Sequence, residues 1–337
     1  MLTRPKVRCA SVLEIRHFRR MTASFQKDSE VLAEIPFVKD VSFEYGRPDR
    51  LSPLIRRVIC DNPGPFTFTG SGTYIIGLEN GPLAVIDPGP DDPAHREALI
   101  ATIGAARVSH VLITHTHKDH CGGAQDFAAR VKAPILGAGP HPVADAADDA
   151  PALEEGADYR FMPDAVLKDG EKISGDGWTI ETVATPGHLS NHLCFALLEE
   201  NALFTGDHVM GWSTTVVAPP DGDMGDYLGS LDKLLARADA RYFPTHGAPI
   251  DRPRAFVRAM RTHRLMRDGQ ILEQLRQGRT GVREIVAAVY ADIDERLHGA
   301  AALNVLAHLI RLERIGAVIC DREPAMGSRY RIAARAT

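Results

Sequence analysis

The chain has 337 residues, 44% of them hydrophobic and 25% charged, and a formal net charge of −5. Such a length exceeds one typical domain and suits one large plus one small, and no apolar run approaches the roughly 18 residues of a membrane span. Five cysteines (Cys9, Cys60, Cys121, Cys194, Cys320) lie scattered with no CxxC, which argues against a disulfide framework and for a reducing, cytoplasmic setting.

Residues 1–20 are basic, with Arg4, Lys6, Arg8, Arg16, Arg19 and Arg20 against Glu14. They lack the apolar centre of a secretory signal. We read them as a disordered extension, with Met21 as the favoured start and a targeting segment as the other reading. Residues 21–60 contain Pro36, Pro48 and Pro53 and read as an extended arm with short pieces leaning on the core. Strands are expected at Thr73–Leu78 and Leu83–Asp87, joined through Asn80-Gly81, a strong hairpin signal. Pro93–Gly104 reads as a helix with Asp91 or Asp92 as N-cap. The apolar run Val108–Ile113 reads as a buried strand. A helix at 123–131 and a strand at 134–138 follow.

Residues 139–164 form an acidic, Ala/Pro-rich stretch, expected to be a long surface loop overhanging a site. Its charge disfavours polyanionic substrates. Further strands are expected at 165–168, 178–184, 192–198, 202–206 and 241–244. A helix at Asp226–Ala238 turns Leu228, Leu231, Leu234 and Leu235 to one face. Many strands with interspersed helices suggest two sheets packed face to face with helices outside, an αββα sandwich; the pattern alone also permits an ordinary α/β sheet.

Pro253–Gln277 reads as a long helix, Pro at its start and Gly278 past its end. Helices at Val282–Ala291 and Ala300–Glu313 follow, then short strands at Ala317–Cys320 and Tyr330–Ile332. Three helices and a hairpin give a winged-helix order. Residues 252–337 hold 16 Arg and 9 acidic residues, a balance of +7, whereas residues 1–251 hold 23 basic and 35 acidic residues, a balance of −12. The arginines could mark nucleic-acid contact. However, the 300–313 helix is mostly apolar, unlike a groove reader with polar side chains along its exposed face. We read the tail domain as a packing element, a homodimer contact or a substrate-channel wall.

The chemistry concentrates in Thr114-His115-Thr116-His117-Lys118-Asp119-His120, between a strand and a helix. Residues two apart in an extended loop point the same way, so His115 and His117 can share one metal while the diverging Asp119 and His120 serve a neighbour. Three more strand-turn-ligand fragments recur: Thr185-Pro186-Gly187-His188, Thr205-Gly206-Asp207 and Pro244-Thr245-His246-Gly247. Ligands for a zinc-like ion commonly come from several segments. Zinc suits an imidazole-rich set; the carboxylates also permit manganese or iron. No Gly-rich phosphate loop and no GxSxG motif is present.

HTHKDH, TPGH, TGD and PTHG, in this order over residues 66–250, resemble the metallo-β-lactamase superfamily in its glyoxalase II-like branch. The stretches at 205–216 and 226–231 are similar to the β-lactamase-like protein 2 group, which carries a winged helix after the hydrolase core. The resemblance implies an αββα hydrolase domain over 21–252 and a helical linker with winged helix over 253–337. It implies two zinc ions: His115, His117 and His188 on the first, Asp119, His120 and His246 on the second, and Asp207 bridging both. It gives Asp87 a role in supporting the ligands, where the sequence alone also permits a turn-starting aspartate. Cys121 follows His120 and reads as a small filler.

Two metals about 3.5–4 Å apart lower the pKa of a shared water and hold it in line with an electrophile. Asp119 and Asp207 would then be catalytic, with His192 and His208 as candidate supporting or proton-donating groups. The expected substrate is a small-molecule ester, thioester or lactone. The alternative is single-stranded RNA, from the group's animal members, which are described as endoribonucleases. A binding protein that has lost activity is disfavoured by the complete ligand set. Aromatic residues make up only 6% of the chain, which leans toward the acyl reading because RNA sites use stacking platforms.

Overall fold

The computed structural model describes residues 35–140, 156–291 and 297–334. The basic extension, the favoured start at Met21 and most of the acidic 139–164 stretch lie outside the described residues. Two compact units are present, Pro36–Met260 and a second comprising Arg261 onward.

In the larger unit, seven strands form one sheet in the order β1 (Pro48–Arg50), β2 (Ile55–Ile59), β3 (Gly72–Ile76), β4 (Leu83–Ile86), β5 (Val108–Leu112), β6 (Ile135–Gly137) and β7 (Ala165–Val166). Strands β1 to β4 pair antiparallel and β4 to β7 parallel. Five more form a second sheet: β8 (Lys172–Gly175), β9 (Trp178–Ala184), β10 (Leu193–Leu197), β11 (Ala202–Gly206) and β12 (Arg241–Pro244), in the order β12-β11-β10-β9-β8.

Alternation along the strands explains the layering. Tyr74, Ile76, Ala84, Ile86 and Leu112 enter one apolar cluster with Ile180, Leu193, Phe195, Phe204 and Phe243 of the second sheet. The intervening Ile75, Leu83, Val85 and Val111 enter another cluster with Leu99 and Ile103 of α1 (Pro93–Ile103) and Phe127 of α3 (Ala124–Val131). A sheet covered on both faces calls for near-continuous apolar runs, which Tyr74–Ile76, Leu83–Ile86 and Val111–Leu112 supply. Asp92 caps α1 by accepting from the His95 backbone N–H, and Gly104 ends the helix at φ 62°. The result is the metallo-β-lactamase type of sandwich expected from the sequence.

The arm reading for residues 21–60 is too loose where they are described, because β1 and β2 lie there and β2 is an integral sheet strand. The short α2 (Lys118–Cys121), directly after the ligand-rich loop, and β8 are likewise additional.

The helix α4 (Met224–Leu235) buries Tyr227, Leu228, Leu231 and Leu234, and its N-cap Asp223 accepts from the Gly225 and Asp226 backbone N–H groups. The long α5 (Pro253–Arg276) contains the division between the units, at Met260/Arg261. In the smaller unit Ile271 and Leu275 of α5 pack with α6 (Val282–Val289), α7 (His298–Arg314) and the hairpin of β13 (Val318–Cys320) and β14 (Tyr330–Ile332) around Val305, Leu309 and Leu312. This is the winged-helix order. No described helix is long and apolar enough to cross a membrane.

Candidate metal centre

Strand direction places the ligands. Strands β9 and β11 both run antiparallel to β10, and β12 runs parallel to β11. Their C-terminal ends therefore share one edge of the second sheet. Asp207 directly follows β11, and His188 and His246 come within a few residues of the ends of β9 and β12. On the first sheet β5 delivers His115 and His117, and α2 begins at Lys118 with His117 as an extended N-cap whose ring makes no capping bond. Asp119 and His120 lie in the first turn of α2.

All seven side chains converge. One group is His115, His117, His188 and Asp207; the other is Asp119, His120 and His246, with the potential ligand atoms of each group within 4.8 Å of one another. His117 Nδ1 lies 2.9 Å from His115 Nε2 and 3.0 Å from His188 Nε2. Asp119 Oδ2 lies 3.1 Å from His246 Nε2 and 3.3 Å from His120 Nε2. Asp207 faces both groups: Oδ1 is 3.4 Å from His120 Nε2 and 3.3 Å from His246 Nε2, and Oδ2 is 3.9 Å from His188 Nε2.

The far side of three of the five rings is held. His188 Nδ1 donates to the Val216 carbonyl at 2.6 Å, His246 Nδ1 to the Gly70 carbonyl at 3.2 Å and His120 Nδ1 to Asp87 Oδ2 at 2.8 Å. Each such bond fixes the tautomer and turns the Nε2 lone pair inward. Asp87 is buried, sits at φ 50° and also accepts from the Thr114 backbone N–H at 2.8 Å and the Thr114 hydroxyl at 2.7 Å. It thus ties the ligand loop to His120, which a turn-starting aspartate would not do. Ser71 Oγ donates to Asp119 Oδ2 at 3.1 Å. His192 receives the Asp207 backbone N–H at Nε2 (3.2 Å) and bonds Thr185 Oγ1 through Nδ1 (2.9 Å). His208 is buried behind it with its ring 5.9 Å from that of His192.

The rings divide into neutral donors and partners of the carboxylates. Burial, reinforced by neighbouring imidazoles, pushes His115 well down and holds His117 at about 3, so both rings are neutral donors. Burial opposes ionisation of Asp119, but the imidazoles of His120 and His246 outweigh it and hold the carboxyl well below its usual range. Burial likewise opposes a charged His120, yet Asp119, Asp207 and Asp87 raise it well above the ordinary value. Buried carboxylates demand a positive partner; with no Lys or Arg in either group, the raised His120 and His246 supply it, a role that bound cations would take over. His120 Nε2 and Asp207 Oδ1 are buried without a hydrogen-bond partner. An ion bonded tetrahedrally at about 2.0–2.2 Å sets its donors roughly 3.3–3.6 Å apart, a spacing that the 2.9–3.9 Å separations bracket. The donor set therefore fits divalent metal ions.

Residues 67–246 match the Metallo-beta-lactamase superfamily. The chain belongs to the metallo-β-lactamase superfamily. Residues 282–323 match the Beta-lactamase associated winged helix domain. The Beta-lactamase-like protein 2 homolog of Caenorhabditis elegans is 32% identical over 80% of this chain and 88% of its own length. An Atrochrysone carboxyl ACP thioesterase of Aspergillus novofumigatus is 32% identical over 81% and 83%. The Lactamase-like protein GME11357 of Pestalotiopsis microspora is 32% identical over 68% of this chain but aligns across only 65% of its own length. In fold, a metallo-beta-lactamase family protein from Thermus thermophilus superposes with a TM-score of 0.69 at 23% identity, covering 84% of this chain and 100% of that one. This superfamily member is thus a hydrolase with a metallo-β-lactamase domain followed by a winged helix.

Beside the centre a small cleft opens to solvent, lined by His117, Asp119, His188, Asp207 and His246 together with Phe66, Met210 and Val216. Sequence reasoning gave these three apolar residues no role at the site, nor Ser71 and Gly70. The signals available were the resemblance over 205–216, which spans Met210 and Val216, and the small-residue run Gly70-Ser71-Gly72 at the start of β3.

Proposed function

We propose that this hydrolase cleaves an ester, thioester or lactone, using two divalent ions, zinc foremost. In this reading His115, His117 and His188 hold one ion, Asp119, His120 and His246 the other, and Asp207 stands between them. The observation that carries it is the pair of donor groups, fixed from behind by Asp87, Val216 and Gly70, opening on one cavity. Ions bound there supply an activated water and polarise a carbonyl oxygen. Asp119, whose Oδ2 takes the Ser71 hydroxyl, orients the attacking water through its carboxylate. The thioesterase names of several relatives support an acyl thioester.

We place the hydrolase domain at 21–252 and the linker with winged helix at 253–337. A cytoplasmic setting agrees with the free thiols of Cys60, Cys121, Cys194 and Cys320. The second reading, a metal-dependent endoribonuclease on single-stranded RNA, draws on the arginine-rich tail. Against it, no described residue of α7 before Arg314 is exposed, and among the described residues the cavity lining holds no Lys or Arg.

The test is a panel of acylated thiols, lactones, a cephalosporin and labelled single-stranded RNA, run with zinc-loaded protein. Asp119→Ala and His117→Ala are expected to abolish turnover while leaving the circular dichroism spectrum unchanged. Turnover surviving in the metal-stripped Asp119→Ala protein would refute the assignment. Sedimentation of the same sample checks the homodimer.

A further inference from the structure

Two loops build the apolar side of the cavity. Phe66 comes from the 62–71 loop, and Met210 and Val216 from the stretch after Asp207. Both loops are braced. Asn62 accepts the Ser71 backbone N–H at 2.8 Å, and Thr67 Oγ1 donates to the Asn62 carbonyl at 2.6 Å. Gly211 N donates to the His246 carbonyl at 3.0 Å, which fixes the Met210 loop to the metal centre. The loops are joined by Phe68, whose ring stacks on Trp212 at 4.8 Å and 9° between planes. Phe68 does this from φ 58°, a left-handed conformation rare for a bulky residue. Strain of that kind persists only where surroundings enforce it, and it collects at ligand clamps. Here it coincides with the loop that carries Phe66.

Among the described residues the lining holds no Lys or Arg, and its titratable groups are Asp119, Asp207 and the histidines already assigned to metal. With the metal side taken by the scissile carbonyl, a negative charge farther along the acyl group would face Phe66, Met210 and Val216 with no Lys or Arg beside it.

We propose that this cavity selects an uncharged, apolar acyl group, aliphatic or aromatic, next to the scissile carbonyl, with Phe66 and Met210 as specificity-determining residues. The proposal rests on the acyl-hydrolase reading but concerns recognition, so binding and turnover are measured separately. Zinc-loaded protein is titrated calorimetrically with benzohydroxamate, butyrohydroxamate and the monohydroxamate of succinic acid. These share one metal-seeking head and differ only in the group beside it. The same protein is assayed on butyryl and succinyl thioesters of one thiol.

The uncharged hydroxamates are expected to bind at least about tenfold more tightly than the succinyl one, in line with the discrimination available to apolar pockets. Phe66→Arg is expected to shrink or reverse that ratio, and Phe66→Ala to reduce it. Circular dichroism verifies folding, and Met210→Lys serves if the arginine variant does not fold. Equal affinity for charged and uncharged ligands, or a ratio untouched in folded variants, overturns the proposal. Discrimination among hydroxamates with no thioester cleaved leaves the cavity assignment standing and sinks the reaction class instead.

Discussion

His192 holds Asp207, a proposed metal ligand, by its backbone. It accepts the Asp207 N–H and packs its ring 5.0 Å from that of His115. Gly206 permits this approach: at φ 49°, a Cβ there would come within 2.7 Å of His192 Nε2. Supporting groups of this kind typically change metal affinity 10–100-fold. His192→Leu is therefore expected to weaken zinc binding by roughly that factor in a chelator competition, whereas His192→Gln, which keeps an acceptor, largely restores it. Unchanged affinity in a folded leucine variant would reduce His192 to filler. A second buried imidazole gives a pH signature. Burial pushes His95 down to about 4, against a weaker pull from Asp92, and its Nε2 meets Thr73 Oγ1 at 2.8 Å. A depressed folded-state pKa means the stability is complete above pH 6.5 and is lost as pH falls toward 4, because the unfolded chain takes up a proton first. Between pH 6.5 and 5 this amounts to about 2 kcal/mol. Urea unfolding of metal-stripped protein checks it: His95→Gln should flatten the slope over that window.

At the scale of elements, the ligand positions were legible because each follows an apolar strand with a turn. Buried polar residues hid the rest. The sequence Ile55-Arg56-Arg57-Val58-Ile59 does not read as a core strand with two arginines in its centre. It becomes one because Arg57 bonds Asp49 at 2.9 Å and the Gly247 carbonyl at 3.2 Å, while Arg56 reaches the Thr102 carbonyl at 3.2 Å. Strand β8 offers a single buried residue, Ile173, at a sheet edge. The cavity wall was invisible as a unit because Phe66, Met210 and Val216 share no spacing and meet only through the fold. Glycine in the third ligand segment has a packing reason. Gly187 sits at φ 136°, and a Cβ there would fall 2.3 Å from Tyr227 Cα in α4. Since α4 is anchored by the Tyr227 hydroxyl on the His208 carbonyl at 3.0 Å, the turn must yield. Gly187→Ala should displace His188 and lower zinc stoichiometry below that of the parent protein, read by elemental analysis after dialysis. Full stoichiometry would show that α4 gives way instead.

For the whole molecule, the sequence's division into an acidic body and a basic tail has a structural counterpart in two compact units. The smaller one has its own buried polar knot. Asp268, 1% exposed, accepts from His308 Nδ1 at 2.7 Å and from Arg311 Nη1 at 2.5 Å. Removing one member of such a cluster leaves uncompensated charge and typically costs 3–5 kcal/mol. Asp268→Ala should therefore destabilise the protein by about 3 kcal/mol in urea unfolding, with early tryptic cuts mapping to residues after Arg261. A change under 1 kcal/mol would mean that water replaces the carboxylate. The arginines are partly spent in such contacts: Arg329 pairs with Glu284 at 2.9 Å and Arg276 with Glu273 at 3.2 Å, so composition overstates the positive surface available to a polyanion.

The donor atoms sit just past strand ends, where backbone pairing dictates position, whereas Phe66, Met210 and Val216 ride on connecting segments. On the proposed reading, the side chains that would set selectivity are not those that would set reactivity, even where they share a segment. A descendant could exchange its preferred substrate through a handful of changes in those connections and keep its chemical engine intact.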